Sequence, residues 1–162
     1  MQPMTETVTR RQLALLLGSL GAAASTAGAQ TGEFPARIHQ EVDFPAKPAR
    51  LYEILLDARL FAAFTKDTAE VQPRPGEPFK LFGGRVTGRN VELVADRRIV
   101  QAWRPESWPP GVYSIVRFEL AAAGSGTHLA FDHTGFPEEE KEHLVAGWPR
   151  MYWDPLRKYL SA

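Results

Sequence analysis

Three polar residues, Gln101, Ser114 and His133, each share a strand face with apolar neighbours, and these are the side chains best placed to do chemistry. Alternate residues of a strand point to the same side of a sheet. The apolar neighbours on these faces are Ile99, Trp103, Val116, Phe118, Leu129 and Phe131. If the three faces line one interior, an amide, a hydroxyl and an imidazole would meet in an apolar space, which is the usual composition of a small-molecule site.

The end of the chain adds aromatic and apolar residues at helical spacing, and these could close the same space. The full set of candidate ligand-binding residues is Gln101, Trp103, Ser114, Val116, Phe118, Phe131, His133, Leu144, Trp148 and Tyr152. Their expected ligand is a small hydrophobic molecule. An alternative stays open: the polar groups could be hydrogen-bonded inside a filled core, and the aromatic residues could simply pack together.

Other chemistries have little support in the sequence. His133, Asp132, Glu139 and His143 could be imagined as metal ligands, but no ligand spacing such as His-Glu-x-x-His is present. The chain has no cysteine, which excludes thiolate catalysis and disulfides. Neither a nucleophile elbow nor a phosphate-binding glycine loop occurs. The sequence therefore predicts no metal, no cofactor and no catalytic residue, although a cyclase- or hydrolase-type enzyme using His133 with Asp132 or Gln101 remains an alternative.

Charge and composition narrow the class of partner. The 162 residues carry 19 basic and 19 acidic side chains, and no Lys/Arg cluster appears in the body of the chain. The sequence therefore lacks the cluster of basic residues that nucleic-acid binding requires. The length predicts one domain.

The pattern of elements predicts how the candidate residues are positioned. Residues 36–44 alternate as a strand, and Pro48 opens a helical stretch in which Asp57 caps a second helix. About five further strands follow, including a hairpin at Gly83-Gly84, and their short connections indicate an antiparallel meander. The tail from Pro137 is an amphipathic helix that Pro149 and Pro155 should kink or restart. This order predicts an α+β fold, a curved antiparallel sheet wrapped around a long C-terminal helix.

The first 29 residues have the parts of an export signal. Arg10-Arg11 precede an apolar run from Leu13 to Ala24, and the small residues Ala27 and Ala29 suit cleavage before Gln30. The run is shorter than the ~20 residues that span a bilayer, so no stable membrane span is expected. The paired arginines resemble a bacterial twin-arginine signal, with general secretion as the other route. The predicted organisation is a signal peptide at 1–29, a tether at 30–35 and one domain at 36–162.

Several short motifs identify a family resemblance. They are Glu92-Leu-Val, Ile99-Val with Trp103-Arg, Ser107-Trp-Pro-Pro-Gly and Gly147-Trp. With the order of elements, they resemble the START/polyketide-cyclase-like (SRPBCC) superfamily, and within it the C-terminal domain of the activator of heat-shock protein 90 ATPase. The resemblance covers residues 36 to 160 and implies a helix-grip fold, often with a cavity between sheet and last helix.

The resemblance does not imply one activity, since relatives include chaperone regulators, lipid carriers and cyclases. A chaperone partner would require a cytosolic protein, which the export signal argues against. The sequence therefore predicts an exported, non-enzymatic protein, periplasmic or secreted, that binds a small hydrophobic ligand. A co-chaperone-like interaction module that stimulates a chaperone ATPase is the alternative if the signal is not used and the protein stays cytoplasmic.

Overall fold

The computed structural model describes residues 36–162, which lie in one compact unit. The predicted signal segment and tether, residues 1–35, lie outside the described residues, so the structure does not test those predictions. The elements are β1 (Arg37–Phe44), α1 (Pro48–Leu56), α2 (Ala58–Thr65), β2 (Glu70–Val71), β3 (Pro78–Leu81), β4 (Val86–Val94), β5 (Arg98–Pro105), β6 (Ser114–Ala123), β7 (Gly126–Thr134), α3 (Lys141–Trp148), a π-helical segment (Pro149–Trp153) and α4 (Asp154–Leu160).

The strands form one antiparallel sheet in the order β1-β7-β6-β5-β4-β3-β2. Its two ends do not pair with each other, so the sheet is curved and open, and the C-terminal helical segments pack against its concave face. The predicted α+β architecture is confirmed. The two-residue strand β2 was not predicted, because so short a segment leaves no alternating pattern to read.

Strand β4 contains a bulge that explains its mixed sequence pattern. Its register with β5 shifts between Asn90 and Glu92, and Val91 between them is 52% exposed. An extra residue reverses which side chains point inward beyond it. Gly88 on the same strand has no room for a side chain, because an added Cβ would lie 2.1 Å from the Ala102 carbonyl oxygen and 2.3 Å from the Phe79 ring.

The turn between the first two helices is capped as the sequence predicts. An Oδ1 of Asp57 accepts hydrogen bonds from the backbone N–H groups of Arg59 and Leu60, both at 2.9 Å. These bonds satisfy donors that the first turn of α2 leaves free. Pro48 lies in the first turn of α1, where its missing N–H costs nothing.

The C-terminal helix passes Pro149 without a break by changing its hydrogen-bond spacing to that of a π-helix. Pro149 has no N–H to give to the carbonyl of Val145, four residues earlier. The side chain of Gln40 in β1 compensates, because its Nε2 donates to that carbonyl at 3.2 Å. Its Oε1 accepts from the indole N–H of Trp153 at 2.6 Å. Gln40 therefore links the helix to the sheet on both sides of Pro149.

Aromatic side chains fill most of the space between helix and sheet. Trp148 lies at the centre, with its ring centroid 4.1 Å from Phe131 and 4.9 Å from Trp103, and it stacks on Trp153 at 5.6 Å. Within residues 36–162, no helix is long and apolar enough to cross a membrane.

Candidate functional site

A cavity of about 440 Å³ lies between the C-terminal helix and one end of the sheet. The β3–β4 turn, the end of β5 and the loop after β5 form one wall, and α3 with the π-segment forms the other. Its apolar lining consists of Phe82, Val86, Trp103, Pro105, Trp108, Leu144, Gly147, Trp148, Met151 and Tyr152. Polar and charged residues at the same opening are Arg85, Glu106, Ser107, Glu140, His143 and Arg150.

Four of the ten sequence-predicted residues line this cavity: Trp103, Leu144, Trp148 and Tyr152. The other six do not line it and are buried behind its wall. They are Gln101, Ser114, Val116, Phe118, Phe131 and His133. The structure therefore brings Leu144 and three of the predicted aromatic residues to the cavity, whereas Phe118, Phe131 and the predicted polar groups lie in the layer behind its wall.

His133 is fully buried and holds Trp148 in place. The indole N–H of Trp148 donates to Nδ1 of His133 at 3.2 Å. Since an indole nitrogen can only donate, Nδ1 must be the unprotonated nitrogen, and Nε2–H then donates to Ser114 Oγ at 2.7 Å. The Ser114 hydroxyl in turn points to the backbone oxygen of Trp103, at 3.5 Å.

A second polar chain holds Trp103. Its indole N–H donates to Gln101 Oε1 at 3.1 Å, and Gln101 Nε2 donates to Asn90 Oδ1 at 2.9 Å. Asn90 is itself anchored through a bond to the Gln72 carbonyl at 2.7 Å. Asn90 is fully buried but was not predicted as an inward residue, because the bulge beside it hides the parity of β4. The two chains fix the orientation of Trp148 and Trp103.

Burial keeps two ionisable groups at the inner end of the cavity, His133 and Tyr152, uncharged at pH 7. It lowers the pKa of His133 to about 4, so the imidazole is neutral at pH 7. Burial also raises the pKa of the Tyr152 hydroxyl well above its ordinary value. The inner wall of the cavity therefore presents aromatic surface without charge.

Trp108 and Gly147 also line the cavity, although neither is among the ten candidate residues. Trp108 is buried in the loop after β5, and its Nε1 has no hydrogen-bond partner among residues 36–162. Gly147 lies on α3 with nothing within 4 Å of where a Cβ would be, so its missing side chain leaves space on the cavity side of the helix. A glycine inside a helical pattern was the signal available, since glycine is costly there without a reason.

Asp132 and His133 lie on opposite faces of β7. Asp132 accepts bonds from Arg37, His39 and Arg117 on the convex side. Although burial alone would raise the pKa of Asp132, these bonds hold it well below its ordinary value. Within the described part of the chain, no group of three His, Cys, Asp or Glu side chains could hold a metal ion.

The family of "Activator of Hsp90 ATPase homolog 1-like protein" matches residues 45–161. The chain belongs to this family. It is 30% identical over 115 residues to the activator of 90 kDa heat shock protein ATPase homolog 1 of Homo sapiens, which is 71% of this chain and 34% of that protein. The Dictyostelium discoideum homolog is 30% identical over 120 residues, 74% of this chain and 31% of its own length.

Among solved structures, a Plasmodium falciparum Hsp90 activator superposes with a TM-score of 0.72 at 22% identity, covering 77% of this chain and 96% of that one. The predicted family and fold are therefore confirmed. The chain spans about a third of the length of the curated activator relatives named above, so the match covers one portion of those longer proteins.

Proposed function

We propose that this member of the activator family binds a small, mainly apolar molecule in the cavity between its sheet and C-terminal helix, and that it does so outside the cytoplasm. The observation that carries the proposal is the cavity of about 440 Å³ with aromatic walls. That volume lies within the range of roughly 300 to 1,000 Å³ in which proteins hold small ligands.

The wall is fixed before any ligand arrives. Trp103 and Trp148 are oriented by Gln101 and His133, respectively. A rigid wall reduces the ordering cost that binding would otherwise incur. The charged groups at the opening carry both signs, with Arg85 paired to Asp67, so they favour a ligand with an apolar body and a polar edge over a strongly charged one.

The ligand is best sought in protein purified from its own host. Native mass spectrometry, followed by solvent extraction, should reveal a bound molecule at a defined stoichiometry. Three of the four tryptophans line the cavity, so rebinding of the extracted molecule should quench tryptophan fluorescence. The proposal would be contradicted if the purified protein carried no ligand and also left the fluorescence of 8-anilino-1-naphthalenesulfonate unchanged.

Export is a separate part of the proposal and needs its own test. Intact mass of the protein from fractionated cells should show a chain that begins at Gln30 in the periplasm or medium. Replacing Arg10 and Arg11 by lysine should retain the precursor in the cytoplasm if the twin-arginine route is used. Full-length chain in the cytoplasm of unaltered cells would argue against export.

A second function, stimulation of a chaperone ATPase, is favoured by the 30% identity to the human activator. It would require the full chain in the cytoplasm together with its chaperone. The test is ATP hydrolysis by purified Hsp90 with and without this protein. If a variant with a blocked cavity still stimulated the ATPase, chaperone stimulation would not depend on ligand binding.

A further inference from the structure

We propose that two copies of this protein associate through strand β1, forming an antiparallel β1–β1 pair with its midpoint at Gln40. This association would involve the edge strand of the sheet and not the cavity. β1 is eight residues long and, among residues 36–162, it pairs on one side only, with β7.

The backbone groups of alternate residues in β1 face the free edge. The carbonyl of Ala36 accepts from Gly135 at 3.1 Å, so even-numbered residues of the strand point their backbone groups toward β7. In an antiparallel ladder the intervening residues point the other way. They are Arg37, His39, Glu41 and Asp43. Their N–H and C=O groups form no backbone bond to another element within residues 36–162.

The charges of these four side chains make β1 complementary to an antiparallel β1 strand of a second copy. All four are exposed on the convex face and run from basic to acidic along the strand, and within their own chain Arg37 and His39 also contact Asp132 while Asp43 contacts His128. An antiparallel pair centred on Gln40 places Arg37 opposite Asp43 of the second copy, and His39 opposite Glu41 of the second copy. Opposite charges directly across a ladder are stabilising, and like charges are destabilising.

The neighbouring registers place identical side chains opposite each other, so the charges of β1 favour one register. Shifting the midpoint to Glu41 sets two glutamates against each other, and shifting it to His39 does the same with two histidines while leaving Asp43 beyond the pair. Only residues of the same parity can form hydrogen-bonded pairs here. The Gln40 register is therefore the one that combines backbone bonding with paired opposite charges.

An apolar residue lies beside the midpoint. Gln40 bonds to the carbonyl of Val145, and Val145 is 43% exposed. A two-fold axis at Gln40 brings the two Val145 residues toward each other. An interface of one strand and one helix residue is small, so we expect a reversible dimer rather than an obligate one.

The register can be tested by disulfide trapping, because the chain has no cysteine of its own. Chains carrying Arg37→Cys and chains carrying Asp43→Cys are mixed in a glutathione redox buffer. In the proposed pair the two new thiols lie on Cα atoms ~5.5 Å apart, within disulfide range. Two copies of one variant would hold their thiols about 20 Å apart.

The expected result is a cross-linked dimer in the mixture and little from either variant alone. A chain with Glu70→Cys, on the opposite edge strand β2, replaces either partner as the control and should not cross-link. Equal cross-linking in every combination, or none in the mixture at high protein concentration, would overturn the proposal.

The unaltered full chain provides a second readout. Amide exchange at Arg37, His39, Glu41 and Asp43 should slow as the protein concentration rises. Sedimentation should show that Asp43→Lys weakens the dimer at least tenfold, whereas Glu70→Lys, with the same change of charge, leaves it intact. Protection that is independent of concentration would mean that residues of the same chain cover the edge, and this outcome also overturns the proposal.

Discussion

Trp148 on the C-terminal helix donates its indole N–H to Nδ1 of His133 on β7, at 3.2 Å, while its ring centroid lies 4.1 Å from that of Phe131. This bond joins the helix to the sheet at the base of the cavity. It also fixes which nitrogen of the imidazole carries the proton, and it leaves the Trp148 ring as cavity wall.

The value of that bond can be measured by comparing two tryptophans. Trp148→Phe removes the donor and leaves His133 Nδ1 buried without a partner, whereas Trp108→Phe removes an indole N–H that has none among residues 36–162. Both substitutions lose similar volume. We expect Trp148→Phe to lower the free energy of unfolding by about 1–3 kcal/mol more than Trp108→Phe, as measured by urea denaturation. Equal losses would show that the bond adds nothing.

Acid should destabilise the protein through His133. Its pKa is about 4 in the folded state and about 6.5 when unfolded, so the unfolded chain binds more protons between these values. Stability is therefore full above pH 6.5 and is lost as pH falls toward 4. From pH 7 to pH 5 the loss is about 2 kcal/mol from this group.

His133→Gln is the variant that isolates this effect. Its unfolding free energy, measured at several pH values, should fall less steeply with acid than that of the unaltered protein. His39 contributes with the opposite sign, because its hydrogen bond to Asp132 raises its pKa, but this contribution is the same in both proteins. Parallel pH profiles would contradict the assignment.

Filling the cavity at Gly147 should separate stability from binding. Gly147→Ala and Gly147→Leu both replace glycine inside a helix where a Cβ has open space, so each should gain up to about 1 kcal/mol of stability. Only leucine projects far enough to occupy the cavity. We expect calorimetry to show normal stability or better in both variants, and titration of 8-anilino-1-naphthalenesulfonate to show binding only with alanine. Undiminished binding by Gly147→Leu would place the probe elsewhere.

Gln40 should stabilise the π-helical segment Pro149–Trp153. Gln40→Ala removes bonds to Trp153 and to the Val145 carbonyl, and we expect a loss of about 1–3 kcal/mol in the free energy of unfolding. Gln40→Glu keeps the acceptor for Trp153 and loses only the donor, so it should cost less. If both variants are as stable as the unaltered chain, solvent satisfies these groups instead.

Most of the fold was predictable because local signals agree with it. The Asp57 cap, the Gly83-Gly84 turn and the alternation in β5, β6 and β7 each appear in the sequence as the structure has them. The placement of Trp103, Trp148 and Tyr152 followed from the same periodicities. Patterns of this kind depend only on neighbours along the chain.

The cavity was harder to predict because it depends on long-range geometry. Asn90 could not be recognised as buried without knowing the bulge beside it. Gln101, Ser114 and His133 were correctly expected to point inward, but which of them reach open space depends on where the helix crosses the sheet. The contribution of Trp108 depends on how its loop folds back, which no periodicity encodes.

The link between Gln40 and the π-turn also constrains how the domain can fold. Gln40 lies 113 positions before Trp153, and β1 pairs with β7 near the other end of the chain. β1 and the C-terminal helical segments therefore depend on contacts with each other. Contacts so distant in sequence slow folding. β1 therefore waits for both β7 and the segment that carries Trp153, so the domain closes only after this late part of it has been made.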